Sequence, residues 1–94
     1  MLSTLPVVLE KVNKGEVNRE ILRAGIIAEL DAVNFYEQMA AFTTSIIIKK
    51  VLLEIAKEEK THIGEFQALL LELDKEQVNE LKHGAGEVSE LKEK

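Results

Sequence analysis

The chain predicts an all-α fold: an antiparallel two-helix hairpin with a short C-terminal helix behind it. One proline and five glycines stand among abundant Ala, Leu, Ile, Glu and Lys in 94 residues, the composition of a helix former. Apolar residues recur at spacings of three and four through two long stretches, the period of a helix that buries one face. Only Thr43-Thr44-Ser45 separates those stretches, and so short a connection makes the two helices antiparallel neighbours.

Residues 1–17 form a lead-in punctuated by Pro6 and Gly15. Asn18 is the expected N-cap of the first helix, with Glu20 in the first turn, where the helix dipole favours an acid. From there Leu22, Gly25, Ile26, Glu29, Val33, Tyr36 and Ala40 trace one stripe, and the helix runs to about Phe42. Thr43, Thr44 and Ser45 suit a tight turn and the next N-cap. The second helix is expected from about Ile46 to Leu73, with a core stripe of Ile48, Leu52, Ile55, Glu59, His62 or Ile63, Phe66 and Leu70. Asp74 followed by Gln77 resembles a capping box that opens a third helix to about Lys82. Gly84-Ala85-Gly86 is expected to end or bend that helix, so that residues 84–94 form a charged tail. Residues 1–94 thus read as a single small domain, or a hairpin that must find partners to bury its apolar faces.

Composition removes several classes of function. Hydrophobic residues make up 46% of the chain, too many for a disordered segment. Without cysteine the chain has no disulfide, iron–sulfur cluster, rubredoxin-type iron or thiolate zinc of its own, and a cytosolic setting is expected. The net charge of −5, with Lys and Glu mixed along the chain, argues against nucleic acid as a partner. No apolar run approaches the roughly 18 residues of a membrane span. Met1–Val8 lacks the basic leader and cleavage site of a signal peptide. The expectation is a soluble protein with no membrane partner.

Ile46, Ile47 and Ile48 are consecutive, yet a helix turns only about one of three such residues into its own core. Ile48 shares the stripe of Glu59, while Ile46 lies on the opposite side. Either the helix end is partly shielded, or the isoleucines mark a subunit interface, since clustered exposed apolar residues mark contacts.

The chemistry-bearing feature is Glu59-Lys60-Thr61-His62 inside this apolar pattern. Glu-x-x-His on a helix places a carboxylate and an imidazole on one face about a turn apart. A buried carboxylate costs several kcal/mol unless something compensates it. A core histidine hydrogen-bonded to its neighbouring glutamate needs no metal and is the bland alternative. Glu29 on the preceding helix's stripe tips the balance, because three metal-capable groups then converge on one interior. Glu58 competes for the same role, but its phase puts it about 100° from Glu59, beside solvent. Tyr36 lies two turns after Glu29 on the same face, as a core tyrosine or as support for a ligand carboxylate. Asp31 lies off that stripe, as a surface acid or as an entry point for iron. His83 reads as an exposed residue near a helix end, favoured there by the dipole and not a ligand. One chain leaves the site unfinished: a two-fold pair supplies two each of Glu29, Glu59 and His62, the ligand complement of a carboxylate di-iron bundle.

At these residues the sequence resembles the ferritin-like superfamily, and most closely the encapsulated ferritins. The stretch from Glu29 through Asp31 to Tyr36, then Glu58-Glu59-Lys60-Thr61-His62, is similar to that family's metal-binding pattern, over roughly residues 19–82. The resemblance implies a half-ferritin that dimerises into a four-helix bundle, with a ferroxidase di-iron centre shared across the homodimer. It implies further a ring-like decamer of such dimers, an encapsulin shell as partner, and a location inside an encapsulin nanocompartment in the cytoplasm. On the same resemblance Glu29, Glu59 and His62 are the iron ligands, Tyr36 is a tyrosine beside the centre, and Asp31 is an outer entry position. Ala28 departs from relatives that carry a further acid there, which weakens the outer site. Gly84–Lys94 shows no convincing cargo-loading peptide, so either the chain is a piece of a longer encapsulin fusion or its route into a shell is left open.

The leading expectation is therefore a ferroxidase that uses dioxygen or peroxide. A rubrerythrin-like di-iron peroxidase is the alternative, disfavoured by the absence of cysteine. A third is a non-catalytic helical dimerisation module whose polar core fixes register.

Overall fold

The computed structural model describes residues 16–94, and its order is α1 (Val17–Phe42), α2 (Ile46–Leu73) and α3 (Lys75–Lys92). Pro6, Gly15 and most of the expected lead-in lie outside the described residues, and Val17 of that lead-in already belongs to α1. The fold is all-helical, as expected. Two side-chain caps set the breaks. Ser45 Oγ accepts the Ile48 backbone N–H at 3.2 Å, and Asp74 Oδ1 accepts that of Gln77 at 3.0 Å. Each satisfies one of the amide groups that a helix start leaves without an intrahelical partner.

The start of α1 differs from expectation. Its N-cap residue is Glu16, not Asn18, and no side chain among the described residues caps it. The Glu16 carboxylate instead pairs with Arg19 at 3.2 Å, so helical geometry begins before Asn18 is reached.

The hairpin core is thin. Its buried apolar side chains among the described residues are Leu22, Val33 and Ala40 of α1 and Ala56 and Leu70 of α2. Gly25 allows the closest approach: a Cβ there would stand 3.0 Å from the Phe66 ring. Two ion pairs tie the elements from outside, Lys60 Nζ to Glu37 at 3.0 Å and Arg23 Nη2 to Asp74 at 2.9 Å. Asp74 thus caps α3 with one oxygen and holds α1 with the other. The Gln77 N–H foremost, and the Arg23 guanidinium after it, keep its carboxyl below the usual carboxylate range, against the opposing effect of desolvation.

A second correction concerns the C-terminal region. α3 passes through Gly84-Ala85-Gly86 without a break and ends at Lys92, ten residues beyond Lys82. A glycine costs a helix only about 1 kcal/mol relative to alanine, and strong helix formers flank these two. His83 reinforces the stretch, its Nδ1 lying 3.2 Å from Glu80 and its Nε2 3.5 Å from Glu87. His83 is exposed as expected, but it sits mid-helix and not at a helix end.

Much apolar surface stays uncovered. Phe42 is 85% exposed, Ile46 77% and Ile47 67%. On the side of the hairpin that carries His62, Ile21 and Met39 of α1 and Val51, Leu69 and Leu73 of α2 are exposed as well. Among the described residues no helix is long and apolar enough to cross a membrane.

Candidate metal centre

The helix period places Glu29 on the inner stripe of α1 and Glu59 on that of α2, and antiparallel packing brings the two to one level. Glu29 is the thirteenth of 26 residues in α1 and Glu59 the fourteenth of 28 in α2. His62, one turn beyond Glu59, reaches both acids. Its Nδ1 lies 3.4 Å from Glu29 Oε2 and 3.5 Å from Glu59 Oε2. One ligand atom from each of the three falls within 4.8 Å of the others. Glu58 is exposed, in keeping with its phase.

The acids are sheltered and the imidazole is not. Side-chain exposure is 20% for Glu29 and 19% for Glu59, against 47% for His62. The sequence placed His62 in a core. In the single chain it stands at the mouth of the site, because its position on α2 is about 60° from Glu59, toward the uncovered side. Glu29 Oε2 is buried without a hydrogen-bond partner among the described residues. A shielded carboxylate oxygen with no donor is costly, and a bound cation removes that cost. Two carboxylates with an imidazole form a donor set suited to iron, manganese or zinc, whereas calcium and magnesium favour oxygen alone.

The other expected residues fall around this group. Tyr36 is half-buried and meets Phe35 edge-on, ring centroids 5.3 Å apart. Asp31 lies on a different side of α1 from Glu29 and outside the three-residue group, with Oδ2 buried and unpartnered among the described residues. Sequence reasoning missed the Arg23–Asp74 tie and the burial of Ala56. The first joins residues 51 positions apart, and an alanine gives no periodic signal of its own.

A helical hairpin that gathers Glu and Glu-x-x-His at mid-length is half of a ferritin-like carboxylate bundle. A protein-family model described as Rubrerythrin matches residues 20–94. The solved encapsulated ferritin domain from Pyrococcus furiosus superposes with a TM-score of 0.83 at 54% identity, covering 97% of this chain and 95% of that one. The chain belongs to the encapsulated ferritins, within the rubrerythrin and ferritin-like family. It is also 55% identical over 93 residues to a ferritin-like-encapsulin shell fusion protein of the same organism, covering 97% of this chain and spanning 27% of that relative's length.

Proposed function

We propose that the chain is a ferroxidase subunit whose di-iron centre forms between two copies. The observation that carries this reading is the convergence of Glu29, Glu59 and His62 on an open side of the hairpin. Three protein ligands from two helices leave a metal exposed on that side, and a second hairpin there supplies the same three again. Position supports a two-fold axis across the helices. Both acids fall at mid-length of their helices, so such an axis through the site overlaps two antiparallel hairpins along their full length. The exposed Ile21, Leu69 and Leu73 at one end then face Met39 and Val51 from the other.

In this reading Glu29 and Glu59 supply negative charge that holds ferrous iron, and neutral His62 donates an imidazole nitrogen. Bound iron supplies the electrons that reduce dioxygen or peroxide. Tyr36 supports the ligand carboxylates from the same face of α1, and Asp31 receives iron on the outside. The fusion partner in the Pyrococcus relative's name suggests an encapsulin compartment as the place of work, with the oxidised iron stored there as mineral. A ring-like decamer of the pairs is part of the same proposal.

A peroxidase is the second reading, favoured by the Rubrerythrin description of the matching family. Anaerobic ferrous titration, followed by dioxygen or peroxide in separate arms with absorbance and native mass recorded together, tests both. The ferroxidase reading expects two irons per two chains and oxidation with dioxygen. Oxidation by peroxide and not by dioxygen, with repeated peroxide consumption when an external reductant is supplied, favours the peroxidase. A protein that retains no stoichiometric iron is a dimerisation module.

A further inference from the structure

Glu29 and Glu59 are equally sheltered as side chains, at 20% and 19% exposure, but their oxygens differ. Among the described residues, Glu29 Oε2 is shut off from water without a hydrogen-bond partner, and no oxygen of Glu59 is in that state. Helix geometry accounts for the difference. Side chains on an α-helix lean toward its N-terminus and cover the preceding turn. Two acids at one level of an antiparallel pair therefore lean apart. Glu59 leans toward Ile55, and Glu29 leans toward Gly25.

Phe66 leans into the same space from the other helix. It follows His62 by one turn, and its phase lies within about 40° of both Glu59 and His62. Leaning back over the turn of His62 and Ile63, it brings its ring to the level of Gly25. A Cβ on Gly25 would stand 3.0, 3.1 and 3.2 Å from ring atoms Cε2, Cδ2 and Cζ. The half-buried ring is thus seated on a residue without a side chain, one turn from Glu29. Gly25 lies in ordinary helix with a negative φ, so what it supplies there is room and not backbone freedom.

We propose that Phe66, seated on Gly25, is a positioning residue for the metal group: its ring walls off one end of the site, keeps water from Glu29 Oε2 and confines His62 to the uncovered side. The inference rests on the metal reading above and adds to it a residue that is itself no ligand. A carboxylate oxygen shielded by an apolar ring attracts a cation more strongly than one in water, because the local dielectric is low and no solvent competes. The ring also bars water from reaching the metal through the hairpin interior. Without it, water solvates Glu29 and competes for the cation.

The full-length chain is tested with manganous ion, which the same donor set accepts, in wild type, Phe66→Leu, Phe66→Ala and Leu70→Ala. Leu70 is buried on the same helix, about 16 Å of rise from Glu59, and controls for lost core packing. Electron paramagnetic resonance of free manganous ion gives affinity, and water-proton relaxation reports water at the bound ion. Phe66→Ala should lower affinity about tenfold and raise relaxation per bound ion. Phe66→Leu should move both the same way by less, and it replaces the alanine variant if circular dichroism shows lost helix. Leu70→Ala should lower urea stability and change neither. Phe66 variants that bind like wild type overturn the proposal, as does an equal loss of affinity in Leu70→Ala. A metal-free arm separates this inference from the metal reading. There Phe66→Leu should shift the imidazole proton resonances of His62, which then lose the field of the ring, and leave those of His83 in place. His62 resonances that stay put overturn the wall whatever the metal does. If they shift and wild type takes up no manganous ion, the metal reading is overturned instead.

Discussion

At the scale of single residues, one step along the helix, about 100°, separates a sheltered acid from an exposed one. Glu59 lies beside Glu29 and His62, whereas Glu58, its neighbour in sequence, faces solvent. Glu59→Ala or His62→Ala should therefore abolish fast ferrous oxidation, and Glu58→Ala should leave it nearly unchanged in stopped-flow absorbance. An inactive Glu58→Ala would assign the ligand to the wrong phase. Gly25 is the other position where one atom decides. Alanine there gains helix propensity but presses its Cβ to 3.0 Å from the Phe66 ring. With overpacking penalties of about 1–3 kcal/mol against a gain of about 1, Gly25→Ala should lower urea-unfolding stability by about 1 kcal/mol. Adding Phe66→Leu should remove the steric part of that loss.

Among the elements, α3 shows how far local chemistry overrides punctuation. Among the described residues, Gly84 and Gly86 have no neighbouring atoms within 4 Å of an added Cβ. Gly84→Ala and Gly86→Ala should each stabilise the helix by about 1 kcal/mol, read as higher helicity and slower amide exchange beyond Lys82. Unchanged exchange would show that the helix is already held by something other than its propensity. Asp74 governs the other end of α3. Its folded carboxyl titrates below the ordinary value of 3.8, so its stabilising effect is complete above that value. The effect is lost as pH falls through the lower folded value. Wild type should lose stability in that acid window, and Asp74→Ala should be less stable at neutral pH with a smaller loss on acidification. Parallel acid titrations of the two proteins would contradict the linkage.

For the molecule as a whole, the hairpin is unfinished by itself. The side that carries His62 keeps that imidazole half open and leaves Ile21, Leu69 and Leu73 exposed. If the site closes between two copies, ferrous iron binds the pair and not the single chain, and mass action shifts the population toward pairs. Sedimentation at fixed protein concentration should show dimer rising with iron and reverting with chelator. In His62→Ala the same titration should leave the distribution unchanged. A wild-type distribution indifferent to iron would separate metal binding from assembly.

The sequence by itself determined the helices, the turn at Thr43–Ser45, the two working N-caps at Ser45 and Asp74, and the set Glu29, Glu59 and His62 as one candidate group. These are local properties: a 3.6-residue period, a hydroxyl or carboxylate before an apolar run, and a one-turn spacing of metal-capable side chains. Tertiary structure decided what depends on residues far apart. Antiparallel packing brings Glu29 level with Glu59, places Arg23 against Asp74, buries Ala56 and admits Phe66 over Gly25. It also decided exposure. Periodicity names a buried stripe but not its width, so His62 at the stripe's edge remained half open. The end of α3 escaped the sequence for a related reason. Two glycines weaken a helix by an amount that its neighbours' side chains outweigh, and only the summed local energies set where it stops.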